Sequence, residues 1–437
     1  MCRNFLKYYL AFTYHLLTRA NPLAVLLRRK EDLYSGTLEF FNGIDRTRLK
    51  WIKQKIRMKA KSIKGKTPTE IQSELMESVD DGFQPTLAIV FTSIKQDIQS
   101  ICDILDKKDI SIFGATSSGE FVDGEISEGG IVILLMDMKK TDFNILMESY
   151  EGREMEEVAK TMGLEALKRF ENPSFLICNS MVIRNRFIDG RAILDGLESA
   201  VGNDLTIWGG DAGDDRIYEH TIVFTNRQSF DAGILLLVFD ADKIGLKGLA
   251  GYGWKPAGTE RTITRCQDNM IYTIDGQPAL DVVFKFLGLQ LTKEDAEKFK
   301  PGNVVFCVFR EKGAPVMRTS GYFNWDEKCI SVLGDIQQGN KFRFALPPDF
   351  DIVEQVTKDA QLVREKEFPE ADALVMFSCI GRHDELGPMV SIEIEGVKNS
   401  FNVPMAGYFS YGEFGRATNG KNEFHNNTCC WVALKEK

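Results

Sequence analysis

Leu87-Ala-Ile-Val-Phe91-Thr-Ser93, followed by Ile110-Ser-Ile-Phe113-Gly114-Ala-Thr-Ser-Ser-Gly119-Glu120, is the stretch on which the fold turns. Leu87 to Phe91 is a short apolar run after Pro85, and its lack of polar alternation suits a strand buried on both faces. Ile98, Ile101, Cys102 and Leu105 then recur at helical spacing with Ser93 placed to cap them, and Ile110 to Phe113 is a second strand. The three segments spell a βαβ unit whose second strand runs into glycine. Just upstream, Thr67-Pro68-Thr69-Glu70 reads as a capping box with Pro at the first helical position. Ile71, Leu75, Met76 and Val79 share one face of that helix, and Gly82 ends it.

The pattern recurs. Phe175 to Cys178 is a strand, Ile193, Leu194, Leu197 and Val201 mark a helix closed by Gly202, and Leu205 to Trp208 leads into Gly209-Gly-Asp-Ala-Gly213-Asp-Asp215. Two further strand-like runs follow each unit: Ile131 to Met136 with Phe143 to Met147, and Thr221 to Phe224 with Ile234 to Phe239. The order of elements, rather than residue identity, indicates an internal duplication of β-α-β-β units. A third echo closes the chain, with a strand over Ala373 to Phe377, a stretch containing Val390 to Ile394, the run Gly407-Tyr-Phe-Ser-Tyr-Gly412-Glu413, and a last strand from Asn427 to Leu434. Between the second and third units, Gln267-Asp268-Asn269 predicts a hairpin, Asp275-Gly276 a boundary, and Pro278 to Leu287 a helix. These readings predict an α/β (mixed α+β) fold of two lobes, 58–275 and 276–437, each a mixed sheet flanked by helices.

Composition narrows the function classes. Of 437 residues, 43% are hydrophobic and 27% charged, which is ordinary for a globular protein. No uncharged run reaches the ~18 residues of a membrane span. Residues 1–57 carry twelve Lys/Arg against four Asp/Glu, which leaves 42 basic and 59 acidic residues beyond them and a net charge of −17. That body should repel nucleic acid, so a small ligand or a basic protein face is the expected partner. Nine cysteines without a CxxC spacing point to a reducing cytoplasm. Residues 1–57 read as a basic extension, either a surface helix from Phe5 with Arg28, Arg29 and Lys30 behind it, or a segment before a natural start at Met58, the reading we favour.

Several chemistries are tested by spacing. No GxxxxGK[ST] occurs, and Gly245, Gly248, Gly251 and Gly253 do not match GxGxxG, so neither phosphate-binding motif is present. Cys379 with His383 or His425 offers a Cys/His pair, but no glycine elbow or helix N-terminus is expected beside Cys379 to lower its pKa. His425 and Cys429, if extended, sit ~13 Å apart, too far for one zinc. Glycine turns at strand ends either present backbone N–H groups to a ligand or only turn the chain. On the ligand reading the candidate residues are Gly114, Thr116, Ser117 and Glu120 from the first loop and Gly209, Gly210 and Asp211 from the second. Arg382, Tyr408, Tyr411, Glu413 and Asn426 complete the set from the third unit. Arg382 would meet a ligand carboxylate and Tyr411 would form a wall; the alternative is a structural network in which Glu413 pairs Arg382 or Arg416.

Assembled, these segments resemble the FIST family, the sensory module of F-box and intracellular signal transduction proteins. The resemblance rests on LAIVFTS (87–93), FGATSSGE (113–120), WGGDAGDD (208–215), IDGQPALDVVFKFLG (274–288), FSCIGR (377–382), GYFSYGEFG (407–415) and FHNNT (424–428), in order over about residues 82–430. It implies a FIST N-type domain over 58–275, a FIST C-type domain over 276–437, and a non-enzymatic intracellular sensor of a small metabolite such as an amino acid. That sensor would signal through a separate protein, with a histidine kinase as one such partner. Some members bind haem and report nitric oxide, which would make His425 an axial ligand here. The segment before Met58 lacks the leucine-rich, proline-led start of an F-box, so a ubiquitin-ligase role is not implied.

Overall fold

The computed structural model describes residues 58–437, apart from 80, 184–185, 290–301, 303, 311–312 and 418–419. The expectations for residues 1–57 therefore lie outside the described residues. Met58–Lys437 forms one compact unit of α/β character, built from three copies of a single pattern. Each copy runs strand, helix, strand, helix, strand, short hairpin, strand.

The first copy comprises the Ala60–Gly65 strand, helix α1 (Pro68–Val79), strand Leu87–Ser93, helix α2 (Ile98–Asp106), strand Ser111–Ser117, the hairpin Glu120–Val122/Glu125–Ser127 and strand Ile131–Met136. The second runs Phe143–Ser149, α3 (Met155–Arg169), Pro173–Asn179, α4 (Arg191–Val201), Thr206–Asp211, the hairpin Val223–Phe224/Ser229–Phe230 and Gly233–Asp240. The third opens with Ile244–Gly251 and is then interrupted by an inserted module containing α5 (Ala279–Leu287). It resumes with α6 (Asp351–Lys366), Ala373–Cys379, α7 (Ile380–Leu386), α8 (Met389–Phe401), Met405–Ser410, the hairpin Glu413–Arg416/Asn422–His425 and Cys429–Glu436. In the inserted module, strand Lys255–Gln267 pairs with both Lys341–Leu346 and Met270–Ile274, which closes its strands into a barrel. Leu280, Val283 and Phe284 of α5 fill that barrel together with Ile263, Phe306 and Phe342.

Each copy holds one parallel pair: Leu87–Ser93 with Ser111–Ser117, Pro173–Asn179 with Thr206–Asp211, and Ala373–Cys379 with Met405–Ser410. Side chains alternate along a strand, so each sheet has an inner and an outer set. The inner sets of all three sheets share one core that includes Leu87, Ile89, Phe91, Leu176, Cys178, Val375, Phe377, Tyr408 and Val432. The outer sets are roofed by helices: Ala88 and Val90 by Ile71 of α1 and Leu105 of α2, Phe175 and Ile177 by Met162 of α3 and Leu197 of α4, Leu374 and Met376 by Val356 of α6 and Ile394 of α8. Burial on both faces is why these strands read as unbroken apolar runs.

The short hairpins join a neighbouring copy's sheet. Glu120–Val122 pairs with Met405–Ser410 of the third copy, Glu413–Arg416 with Thr206–Asp211 of the second, and Val223–Phe224 with Ser111–Ser117 of the first. This exchange is cyclic, so strands from beyond the expected 275/276 boundary complete sheets begun before it. The boundary dipeptide forms the turn between Met270–Ile274 and Gln277–Pro278 inside the barrel.

Two local readings are corrected. Asp97, not Ser93, caps α2, accepting from the Ser100 amide at 3.1 Å. Phe143–Ser149 opens the second copy rather than closing the first. The stretch containing Val390 to Ile394 forms part of helix α8.

Candidate functional site

The three strand-end loops, one per copy, meet and bond to one another. The Ser118 amide donates to Phe409 O at 3.0 Å and the Phe409 amide to Gly119 O at 2.9 Å, joining loops one and three. Gly213 N donates to Thr116 O at 2.8 Å and Asp215 N to Ser117 O at 2.9 Å, joining loops two and one. Asp211 N donates to Gly412 O at 2.8 Å, closing the ring. The glycines serve this approach. A Cβ on Gly213 would lie 2.6 Å from the Ser118 amide nitrogen, and one on Gly412 2.5 Å from a carboxylate oxygen of Asp211.

Each loop delivers a Gly–acid pair to the same depth: Gly119-Glu120, Gly213-Asp214 and Gly412-Glu413. Glu120 accepts from the Ser117 hydroxyl and from Gly130 N at 3.0 Å. Glu413 accepts from the Ser410 and Thr428 hydroxyls at 2.7 and 2.6 Å. Asp214 accepts from the amides of Tyr218, Glu219 and His220 at 2.9, 2.8 and 3.2 Å, and from the Tyr411 hydroxyl. Burial pushes the Glu120 and Glu413 carboxyls up to about 7 against these donors. Asp211 is raised well above its ordinary value by burial and then by the charge of Glu413. The Asn179 side chain faces Asp211, yet neither carboxylate oxygen has a donor in hydrogen-bonding geometry.

Most of the residues singled out from sequence come together here, and all of them are enclosed. Gly114, Thr116, Ser117, Glu120, Gly209, Gly210, Asp211, Tyr408 and Glu413 are buried in the loop junction. Tyr408 donates to Gly210 O at 2.7 Å. The Tyr411 ring stacks on Tyr218, centroids 5.0 Å apart, at the rim of the junction. The rim also holds Arg216, which pairs with Asp384 at 2.8 Å, and Asp215, which pairs with Lys95 at 3.2 Å. Asp215, Arg216 and Tyr218 all adopt left-handed backbone (φ 54°, 64° and 60°), a strained run for residues with a Cβ.

Arg382 does not face this junction as a free cation. Its guanidinium grips Glu393 of α8 through Nε and Nη2, both side chains fully buried, and donates to Tyr252 O at 2.6 Å. Asn426 is likewise committed, accepting from the Thr319 amide at 3.2 Å and so tying the barrel to the third copy. The pairing expected of Glu413 with Arg382 or Arg416 is not made; Arg416 bonds Asn422 and Leu205 O instead. Sequence reasoning missed Glu393, Asp214 and Asn179. Only Asp214 left a signal, the repeated Gly–acid step.

Cys379 proves to be the N-cap residue of α7, contrary to expectation, but burial and the Glu413 charge push its thiol well above the usual range, the opposite of what a nucleophile requires. His425 is buried with neither ring nitrogen hydrogen-bonded, and burial holds it down to about 3. It lines a space of about 10 Å³, against the several hundred a porphyrin fills, so the residues around His425 do not fit haem. Among the described residues, no group of three or more His, Cys, Asp or Glu has the arrangement of a metal site, and no helix is long and apolar enough to cross a membrane. A groove of about 1000 Å³ lies away from the junction, beside strand Phe143–Ser149, and contains none of the residues above.

The FIST N domain model matches residues 86–277, and the FIST C domain model matches residues 279–416. The chain belongs to the FIST family. Its two domain matches meet at Gln277–Ala279, one turn beyond Asp275-Gly276. FIST domains are associated with the sensing of small ligands in signal transduction. A search of curated proteins finds no match to this FIST protein.

Proposed function

We propose that this FIST protein is a non-enzymatic intracellular sensor that takes an amine-bearing metabolite such as an amino acid at the three-loop junction. It passes its state to a separate signalling protein, of which a histidine kinase is one type. The observation that carries the reading is the Asp211 carboxyl, fully buried where the loops of all three copies converge, with the Asn179 side chain facing it but no donor in hydrogen-bonding geometry. Native interiors satisfy nearly all buried polar groups, and an unsatisfied carboxylate is a standing free-energy cost. An ammonium group supplies both the missing donors and the opposite charge. Because the junction is packed shut, binding requires the Asp215–Tyr218 segment to move aside, and its left-handed backbone favours that release. A ligand that selects the opened loop arrangement shifts the population of both states, which is what a sensor must do.

The test is thermal unfolding of the wild type and Asp211→Asn with the twenty amino acids and a set of polyamines. A cognate ligand at a hundred times its Kd raises wild-type stability by about 2.7 kcal/mol and leaves Asp211→Asn much less affected. A ligand that stabilises both proteins equally places the site elsewhere and refutes the reading.

A further inference from the structure

The Asp215–Tyr218 segment over the three-loop junction is fastened to helix α7 through Arg216. That side chain reaches two adjacent residues of the helix: Nη1 sits 2.8 Å from Asp384 Oδ1, and Nη2 sits 2.9 Å from His383 Nδ1. A guanidinium has five N–H donors and no acceptor. The 2.9 Å contact is therefore Arg216 donating to a bare Nδ1, which assigns the neutral His383 tautomer with its proton on Nε2. The ring is seated edge-on against Phe409, centroids 4.5 Å apart, and Phe409 is the residue whose amide and carbonyl join loops one and three.

The two partners of Arg216 are also spaced to pair with each other. His383 Nδ1 lies 3.5 Å from Asp384 Oδ1, longer than a hydrogen bond but within a small side-chain rotation of one. All three side chains are open to solvent protons, with Arg216 40%, Asp384 50% and His383 22% exposed. The charged and titratable groups around the ring come from two elements. The segment over the junction supplies Arg216 and Tyr218, and α7 with its N-cap supplies Asp384, Glu385 and Cys379. The Met405–Ser410 strand contributes the apolar Phe409 ring, and Glu128 of the first copy's hairpin packs beside Gly119 near it. Partial burial works against ionisation of Asp384, but the His383 ring and the Arg216 guanidinium outweigh it and hold that carboxyl below its ordinary value, so it stays charged in mild acid.

We infer that Arg216, His383 and Asp384 form an acid-sensitive latch over the junction. A proton on His383 Nδ1 removes an acceptor from Arg216, draws Asp384 into a direct His383–Asp384 pair, and releases the Asp215–Tyr218 segment. Charge favours the exchange: one carboxylate shared with a neutral ring serves one cation, whereas after protonation two cations compete for it. The left-handed backbone at Asp215, Arg216 and Tyr218 adds to the release. Asp215 keeps its ties to Lys95 at 3.2 Å and to the Ser93 hydroxyl at 2.7 Å, so acid raises the population of the open arrangement without unfolding the chain. The latch rests on the proposed reading of the junction only for its consequence, faster ligand exchange in acid; its geometry does not involve Asp211.

The test is amide hydrogen exchange of the full chain without ligand at pH 5.5 and 7.5, which bracket the range in which imidazoles titrate. It is read in a peptide spanning residues 214–221, corrected for intrinsic rates, against the buried strand Leu87–Ser93 as reference. In the wild type, the corrected exchange of 214–221 should rise about three- to fivefold at pH 5.5 while the reference is unchanged, a modest factor because the pairs are exposed. His383→Asn keeps an acceptor near the Nδ1 position but cannot titrate, and should stay protected at both pH values. His383→Lys carries a permanent cation and should exchange quickly at both. Equal acid responses in the wild type and His383→Asn, or none in the wild type, overturn the latch. Asp211-dependent amine binding without an acid response at 214–221 sinks the latch and leaves the ligand reading standing. An acid response that His383→Asn abolishes, in a protein that binds no amine, supports the latch and tells against the ligand reading.

Discussion

Glu413 and Glu120 make the stability of this protein depend on pH in a direction opposite to that of most proteins. An acid whose folded pKa is raised binds its proton more tightly in the native state, so its contribution is full below the unfolded value and is lost as pH rises through the folded one. Here the window runs from 4.5 to about 7 for both residues. With 1.36 kcal/mol per pKa unit, each glutamate should cost about 2 to 3 kcal/mol between pH 5 and pH 8. His425 works the other way: its folded pKa lies at about 3 against 6.5 unfolded, so stability is lost as pH falls below 6.5. That adds about 2 kcal/mol on going from pH 5 to pH 8. The wild-type curve mixes the two signs, and the informative quantity is a difference. Urea unfolding of the wild type and Glu413→Gln at pH 5, 6, 7 and 8 should give a stability gap that moves by about 2 to 3 kcal/mol in favour of the variant as pH rises. Glu120→Gln should behave alike. Parallel curves at all four values would show that the junction holds Glu413 no differently from an exposed carboxylate and would refute the reasoning.

Two further perturbations probe the same architecture. Gly213→Ala sets a methyl 2.6 Å from the Ser118 nitrogen, a backbone contact with nowhere to yield; it should cost about 1 to 3 kcal/mol in urea unfolding, and an unchanged midpoint would deny that the loops are close-packed. Arg382→Met leaves Glu393 as an uncompensated buried charge and should cost about 3 to 5 kcal/mol. The double variant Arg382→Met/Glu393→Met should recover most of that loss in the same measurement.

The parts of the fold legible in the sequence are those whose burial is extreme. Leu87–Ser93, Pro173–Asn179 and Ala373–Cys379 are buried along their whole length, so their unbroken apolar runs announced both the strands and their parallel partners. Helices α3 and α6 went unread because few large apolar residues mark their buried stripes, Val158, Ala159, Met162, Gly163 and Ala166 in one, Val353, Val356, Ala360 and Val363 in the other. The hairpin exchange was not legible at all: Val223–Phe224 and Glu120–Val122 are two and three residues long, and no pattern that short names its partner strand. At the site, the loops and their acids were legible as repeated glycine-to-acid steps. What those acids bond to was not, because Glu413 meets Thr428 and Arg382 meets Glu393 only after separate elements have docked.

The cyclic exchange gives the junction a property that three independent strand-end loops would lack. The hairpin strands of the first and third copies begin at the Gly–acid step, that of the second follows at Val223–Phe224, and each lies in another copy's sheet, so a displacement of one loop is carried along the chain into a second copy's sheet and by hydrogen bonds into its neighbours. The inserted barrel is tied to the same place. Glu413 holds Thr428, the neighbouring Asn427 donates to the Thr319 hydroxyl at 2.6 Å, and Arg318 of the barrel donates to Phe424 O at 2.8 Å while pairing with Asp335. A change of charge at Glu413 therefore acts on the segment that anchors the barrel. Coupling of this kind needs a bistable element rather than mere proximity. The Asp215–Tyr218 segment over the junction, with Asp215, Arg216 and Tyr218 in left-handed backbone and held by Tyr411 and Asp214, is the element to which our proposal assigns that role.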